Sequence, residues 1–191
     1  MPTRPPGRPR SEASRRAILD AARDLLAEGS YESLTIQAIA ERSGTGRQTI
    51  YRWWSTKALI VADLLLEGEL DVPSTPVADT GSLSSDLTTW LEAIAAALTD
   101  PRQASLVRAL VTAASDDPNE ARLLYSMTTG PVHQSLVNRL ATGKAAGQLR
   151  ADVDETAIAD ALIGTVLFAA LTPGAKPAAP AHVVFALLPP H

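Results

Sequence analysis

Residues 11–28 place Ile18, Leu19, Ala22, Leu25 and Leu26 at i, i+1, i+4, i+7 and i+8, one face of a helical period. The pattern predicts an amphipathic helix, capped by Ser11 or Ser14 and closed by Gly29 in the left-handed conformation. A second, short helix is expected over residues 36–42. Thr35 caps it, Ile36, Ile39 and Ala40 face inward, and Gly44 stops it. A third must start near Gly46, because Ile50 and Trp54 then share a buried face at i and i+4. A fourth runs over residues 56–70, where Leu59, Ile60, Ala62, Asp63, Leu66 and Glu67 make a mixed surface. The periodicity then lapses around Pro73 and Pro76, which mark a linker.

Helical periods resume over residues 82–99, with Trp90, Leu91, Ile94 and Leu98 on one face. Asp100-Pro101 is a cap followed by proline at the first helical position, and the helix it opens turns Leu106, Leu110 and Val111 inward. Asp117-Pro118 repeats the device and opens a long helix toward Ala141, in which Pro131 predicts a kink or break near Gly130. Asp152 or Asp154 caps a helix to Leu171, and Pro180 opens a short last helix ending before Pro189. No stretch alternates with the strand period between hairpin turns, and no internal repeat is present. The chain therefore reads as all-α: a basic arm (1–10), a three-helix unit (11–55), a connecting helix (56–70), a linker (71–81) and a helical domain (82–191).

Composition narrows the function classes. Aromatic residues make up only 4% of the chain, so the core must rest on Ala, Leu, Val and Ile. The chain has no cysteine, which excludes disulfides, thiolate metal sites and a cysteine nucleophile and fits a reducing cytoplasm. The N-terminus is Arg-rich without the apolar run of a signal peptide. The longest apolar stretch, residues 157–171, is short for a bilayer and carries Asp160, so it reads as a buried helix and no membrane partner is expected. No phosphate-binding glycine loop or nucleophile elbow is present, so no cofactor and no enzymatic activity are expected. His133, the one histidine inside a predicted helix, has no second ligand at i+4, and no metal is expected.

The net charge of −4 hides a split. Residues 1–60 hold ten Lys/Arg against six Asp/Glu, and residues 61–191 hold seven against fifteen. A basic front on an acidic body suits a polyanion at one end. Residues 1–10, MPTRPPGRPR, read as an extended, flexible arm whose Arg4, Arg8 and Arg10 are candidates for the DNA minor groove. Gly7-Arg8-Pro9 is similar to an AT-hook core, although a disordered solubilising tail fits the same residues.

Three short helices, the last two joined at a glycine, make a helix-turn-helix unit, and Gly44 lets the chain reverse without a Cβ clash. The outer face of the third helix offers Arg47, Gln48, Thr49 and Arg52. Arginine can grip guanine with two hydrogen bonds, glutamine adenine with two, and a threonine methyl can touch thymine. Lys57, at the start of the next helix, suits a phosphate oxygen. Trp54 faces inward with Ile50, while Trp53, about 100° further round, points toward the DNA edge. Taken alone, Arg47, Gln48 and Arg52 also fit a solvated helix face. A helical adaptor or ligand-binding protein using the basic head for protein contacts is the second class these residues allow; it would lack the steep salt dependence of a DNA binder.

The stretches RRAILDAARDLLAEGSYESLTIQAIAERSG (15–44) and TIYRWWSTKALI (49–60) resemble the DNA-binding domain of the TetR/AcrR family of regulators. GQLRADVDETAIADALIG (147–164) resembles the effector-binding and dimerisation half of one TetR subgroup. The resemblance implies a homodimer whose recognition helices enter successive major grooves of a palindromic operator, about 34 Å apart. It implies C-terminal helices that pair the subunits and enclose a pocket, and a repressor that a small-molecule effector releases from double-stranded DNA. It further implies that the Tyr51 hydroxyl reaches a phosphate, and it places Thr35, at the start of the second helix, with Thr45 and Gly46 of the turn among the DNA-binding residues. Thr45 and Gly46 depart from the family pattern of an apolar residue followed by Ser or Thr; Thr45 is then expected to cap the helix, with Gln48 completing a T-x-x-Q box. Trp90, Tyr125, Met127 and Phe168 are candidates for the effector pocket, with ordinary core as the alternative for each.

Overall fold

A computed structural model describes residues 8–69, 77–172 and 179–188. Among them every regular element is helical: α1 (Arg8–Glu28), α2 (Ile36–Ser43), α3 (Arg47–Tyr51), α4 (Lys57–Leu64), α5 (Leu83–Ala97), α6 (Pro101–Asp116), α7 (Pro118–Met127), α8 (Thr129–Ala145), α9 (Glu155–Leu171) and α10 (Pro180–Leu187). α4 continues as one π-helical turn over Leu65–Glu69. The fold is all-α, with the expected helix-turn-helix head and helical C-terminal domain.

The caps read from sequence set most boundaries. Thr35, Asp100, Asp117 and Asp154 each accept a backbone N–H from the first turn of α2, α6, α7 and α9. The expected break near Gly130 falls at Thr128, between α7 and α8, with Pro131 in the first turn of α8 where its missing N–H costs least.

Three expectations around α1 are corrected, the first being its cap: Ser11 and Ser14 both lie inside the helix. Arg8, Pro9 and Arg10 open the helix instead of ending an extended arm, because a first-turn proline lacks only an N–H that has no helical partner. Arg4, like the rest of residues 1–7, lies outside the described residues. Gly29 is not left-handed. Glycine is suited there by a close approach: a Cβ would stand 2.7 Å from Ser33 Oγ, which donates to the Ser30 carbonyl and accepts from the Ser30 N–H.

Side chains collect into two cores. The first unites α1–α4 with Leu106, Ala109 and Ala113 of α6 and Leu124 of α7. The second joins Val77, α5, α8, α9 and Val184 of α10. Helices α6 and α7, which follow the linker in sequence, thus contribute to the head's core. Residues 70–76 of the expected linker lie outside the described residues. Residues 77–81 are built into the second core: Val77 is buried and donates its N–H to Ser135 Oγ at 2.7 Å, and Thr80 donates both its N–H and its hydroxyl to Asp86.

Asp86 is nearly inaccessible and accepts from Arg139 Nε and Nη2 at 2.9 and 2.7 Å, which ties α5 to α8. Burial pushes its carboxyl up, but hydrogen bonds from Thr80 and Arg139 and the guanidinium charge outweigh this and hold it below the usual carboxylate range. The α8–α9 loop is fixed by one local turn and by bonds back to the start of α5. Gly147 turns it at φ 73, Gln148 accepts from the Leu83 N–H and donates to the Gly81 carbonyl, and Lys144 Nζ donates to the Val153 carbonyl.

Candidate nucleic-acid interface

Helix α2 ends as the glycine requires. Gly44 has φ 65, the Thr45 N–H donates to the Ala40 carbonyl at 3.1 Å, and the Gly44 N–H donates to Glu41. Thr45 does not cap α3. Its hydroxyl pairs with Ser43 Oγ at 2.8 Å, and Gly46 takes the cap position with extended backbone and no side-chain bond, so the expected T-x-x-Q box is not formed. Thr35 commits its hydroxyl oxygen to the α2 cap through the Ala38 N–H.

Helix α3 has five residues, and its two faces divide sharply. Ile50 is fully buried, and Trp54, reached by the turn that follows, is 3% exposed. On the other side Arg47, Gln48, Tyr51 and Arg52 share one exposed face at i, i+1, i+4 and i+5, with Thr49 half-buried beside them. The tryptophan pair separates as the sequence predicts: Trp53 is 39% exposed, its ring 6.2 Å from that of Trp54 and tilted 37° to it.

Lys57 departs from its expected phosphate role. Its ammonium turns inward, donating to the carbonyls of Tyr31 and Leu34 at 2.7 and 3.0 Å and standing 4.1 Å from the centre of the Tyr31 ring. Those carbonyls belong to the turn between α1 and α2, where the Tyr31 carbonyl also accepts the Leu34 N–H at 3.2 Å. On the outer surface Arg42 forks onto Glu28, tying α2 to α1 at 2.7 and 2.8 Å.

This geometry coincides with family-level similarity along the chain. Residues 18–64 match the model of bacterial regulatory proteins of the tetR family, and residues 77–186 match the tetracyclin repressor-like C-terminal domain. The chain belongs to the TetR family of transcriptional regulators. It is 34% identical over 168 residues to the HTH-type transcriptional regulator YdeS of Bacillus subtilis (strain 168), an alignment covering 88% of this chain and 83% of that protein. The TetR family transcription regulator SCO0332 superposes with a TM-score of 0.68 at 28% identity, over 92% of this chain and 96% of that one. FadR from Bacillus subtilis, solved in complex with stearoyl-CoA, shares the fold at a TM-score of 0.68 and 17% identity, over 91% of this chain and 97% of that one.

In this TetR-family chain the four residues read as pocket candidates do not share one core. Trp90 lies in the second core and Met127 packs on the first, while Tyr125 and Phe168 are 51% and 55% exposed. Apolar spacing marks a face that seeks burial, and here the faces belong to different cores. A narrow apolar crevice of about 110 Å³ lies elsewhere, between Leu91 and Ile94 of α5, Leu98 just past its end, and Thr165, Val166 and Ala169 of α9, next to Pro180.

His133, unpartnered in the sequence reading, meets Asp160 across α8 and α9 at 3.1 Å. No group of metal-binding side chains occurs among the described residues, and none of their helices is long and apolar enough to cross a membrane. The sequence reading also missed Arg15. Its guanidinium joins Asp63 and Glu67 of α4 and its π-turn, and the only signal was the i, i+4 pair of carboxylates on a largely apolar helix.

Proposed function

We propose that this regulator binds a palindromic operator as a homodimer, represses transcription there, and is released by a small-molecule effector. The observation that carries the DNA contact is the two-faced α3. Ile50 and Trp54 anchor one side, and the other exposes Arg47, Gln48, Tyr51 and Arg52, whose donors and acceptors suit base edges and phosphates. Trp53 lies at the edge of that face, where it can pack on the sugar-phosphate backbone.

Pairing of two subunits is supported by the outward stripe of α9. Ala157, Asp160, Gly164, Phe168 and Leu171 recur on one exposed side, with Phe168 55% and Leu171 46% exposed, a surface apolar apart from Asp160 that a second copy would cover. The α5–α9 crevice gives an effector with an apolar part a place to enter the C-terminal core, and a fold neighbour solved with stearoyl-CoA sets a precedent for apolar effectors. An effector that separates the paired heads would remove one half-site contact and with it operator affinity.

Selection of bound duplex from a random pool tests the reading. The expected result is an inverted repeat with half-site centres about one helical turn apart, bound with a steep loss of affinity as salt rises. A pool that enriches no sequence, with no salt-dependent binding, would favour an adaptor that uses the basic head for protein contacts.

A further inference from the structure

We propose that Asp63 is a positioning residue of the DNA-reading helix, acting through Trp54 and Arg15. One carboxylate oxygen, Asp63 Oδ2, accepts the indole N–H of Trp54 at 2.8 Å and Arg15 Nη2 at 2.9 Å. The Arg15 guanidinium also stands 5.8 Å from the centre of the Trp54 ring and pairs through its other nitrogen with Glu67. Three segments thus converge on one oxygen: α1 through Arg15, α4 through Asp63, and the end of the recognition segment through Trp54. The inference rests on the DNA-reading role assigned above to α3.

Helix α3 needs such a latch. Five residues are too few to be stable alone. Its cap position is a glycine without a side-chain bond, and Ile50 is its one fully buried side chain. Trp54 lies three residues beyond its end, its backbone N–H donating to the Ile50 carbonyl at 3.0 Å, so the setting of the indole is passed to the helix through a single turn. Ring burial alone fills the slot without fixing the angle of the ring. A hydrogen bond from the indole edge is directional and fixes both depth and rotation. Arg15 holds the accepting carboxylate in place. With Arg15 19% and Asp63 23% exposed at the side chain, the pair is shielded enough from solvent to do so.

The consequence is specific to base reading. Bidentate contacts to bases tolerate an error of only about 0.5 Å, whereas phosphate contacts through long side chains adapt. Loosening the latch should therefore reduce operator affinity more than affinity for arbitrary duplex.

The test compares wild type, Trp54→Phe, Asp63→Ala, the double variant and Asp63→Asn. Each is measured on the selected operator, on a random duplex at low salt and by thermal melting. Trp54→Phe keeps an aromatic ring but loses the N–H together with part of the fused ring system, so its thermal melting separates lost packing from the lost bond, while Asp63→Asn keeps an acceptor and removes the charge. The expected result is a roughly tenfold loss of operator affinity for each of Trp54→Phe and Asp63→Ala, because each removes the charge-assisted bond between indole and carboxylate. Random-duplex affinity should change by less than about threefold, because phosphate contacts persist. The double variant should lose no more than the weaker-binding single, and Asp63→Asn should recover part of the loss.

Equal falls on operator and random duplex would reduce Asp63 to a stability role and overturn the proposal. So would wild-type affinity in both singles, or full additivity in the double. If Asp63→Ala fails to fold, Trp54→Phe with Asp63→Asn and their double gives the same comparison. A wild type that enriches no operator defeats the DNA-reading role itself, a result visible before any variant is made.

Discussion

The ammonium of Lys57 stands 4.1 Å from the centre of the Tyr31 ring and donates at 2.7 Å to the carbonyl of that same residue. The first turn of α4 is thereby clamped onto the turn between α1 and α2, with the Leu34 carbonyl as second acceptor. Lys57→Met keeps the aliphatic stem and removes the charge. It should destabilise the protein by about 1–3 kcal/mol, from two lost charge-assisted bonds and a cation–π contact. The slope of log affinity against log salt should stay unchanged in the folded variant. A decrease of about one in that slope, with stability preserved, would return Lys57 to a phosphate contact.

Arg47 opens α3 on its exposed face. Arg47→Ala should relax base preference at one operator position and cost about 1–3 kcal/mol on the preferred sequence, with little change in melting temperature. Quantitative binding to operators substituted one base pair at a time measures this. A uniform loss across all of them would assign Arg47 to the backbone instead.

These outcomes bear on what the residues disclosed in advance. Helix positions and caps were legible because they depend on local chemistry: Thr35, Asp100, Asp117 and Asp154 accept bonds from residues only two or three positions ahead. The division of Trp53 from Trp54 was legible because a rotation of about 100° per residue decides it. What sequence did not disclose depends on partners far along the chain. Lys57 looks like a free cation until the carbonyls of Tyr31 and Leu34 are seen beneath it. Asp63 looks like solvent-facing polarity until Arg15, 48 positions earlier, arrives. Trp90, Tyr125, Met127 and Phe168 share an apolar character, but tertiary packing sends them to different cores or to the surface.

Phe168 lies on the outward stripe of α9, well exposed in the single chain. If a second copy covers this stripe, Phe168→Asp places a charge in a desolvated apolar contact. The variant should sediment as a monomer at concentrations where the wild type is a dimer, keep its helical circular dichroism, and bind a single half-site weakly while losing the palindrome. Unchanged sedimentation would move the pairing surface away from α9.

The Asp86–Arg139 pair sets an acid limit on stability. The folded-state pKa of Asp86 lies below its ordinary value of 3.8, so the unfolded chain takes up the proton first as pH falls. The pair's contribution is fully present above that ordinary value and is lost as pH drops through the lower folded value. Denaturant unfolding of the wild type should therefore show stability falling with acid below about pH 4. In Asp86→Asn the part of that slope due to this group should vanish. At neutral pH the same variant should be less stable by up to about 3–5 kcal/mol, because the Arg139 guanidinium, 3% exposed, keeps only the half-exposed Asp79 at 3.4 Å as counter-charge. Adding Arg139→Met to Asp86→Asn should restore much of the loss, since a buried pair replaced by apolar groups costs less than a buried pair broken. A double variant as unstable as the single would mean that the bonds from Thr80 to Asp86, not the ion pair, hold the start of α5 in place.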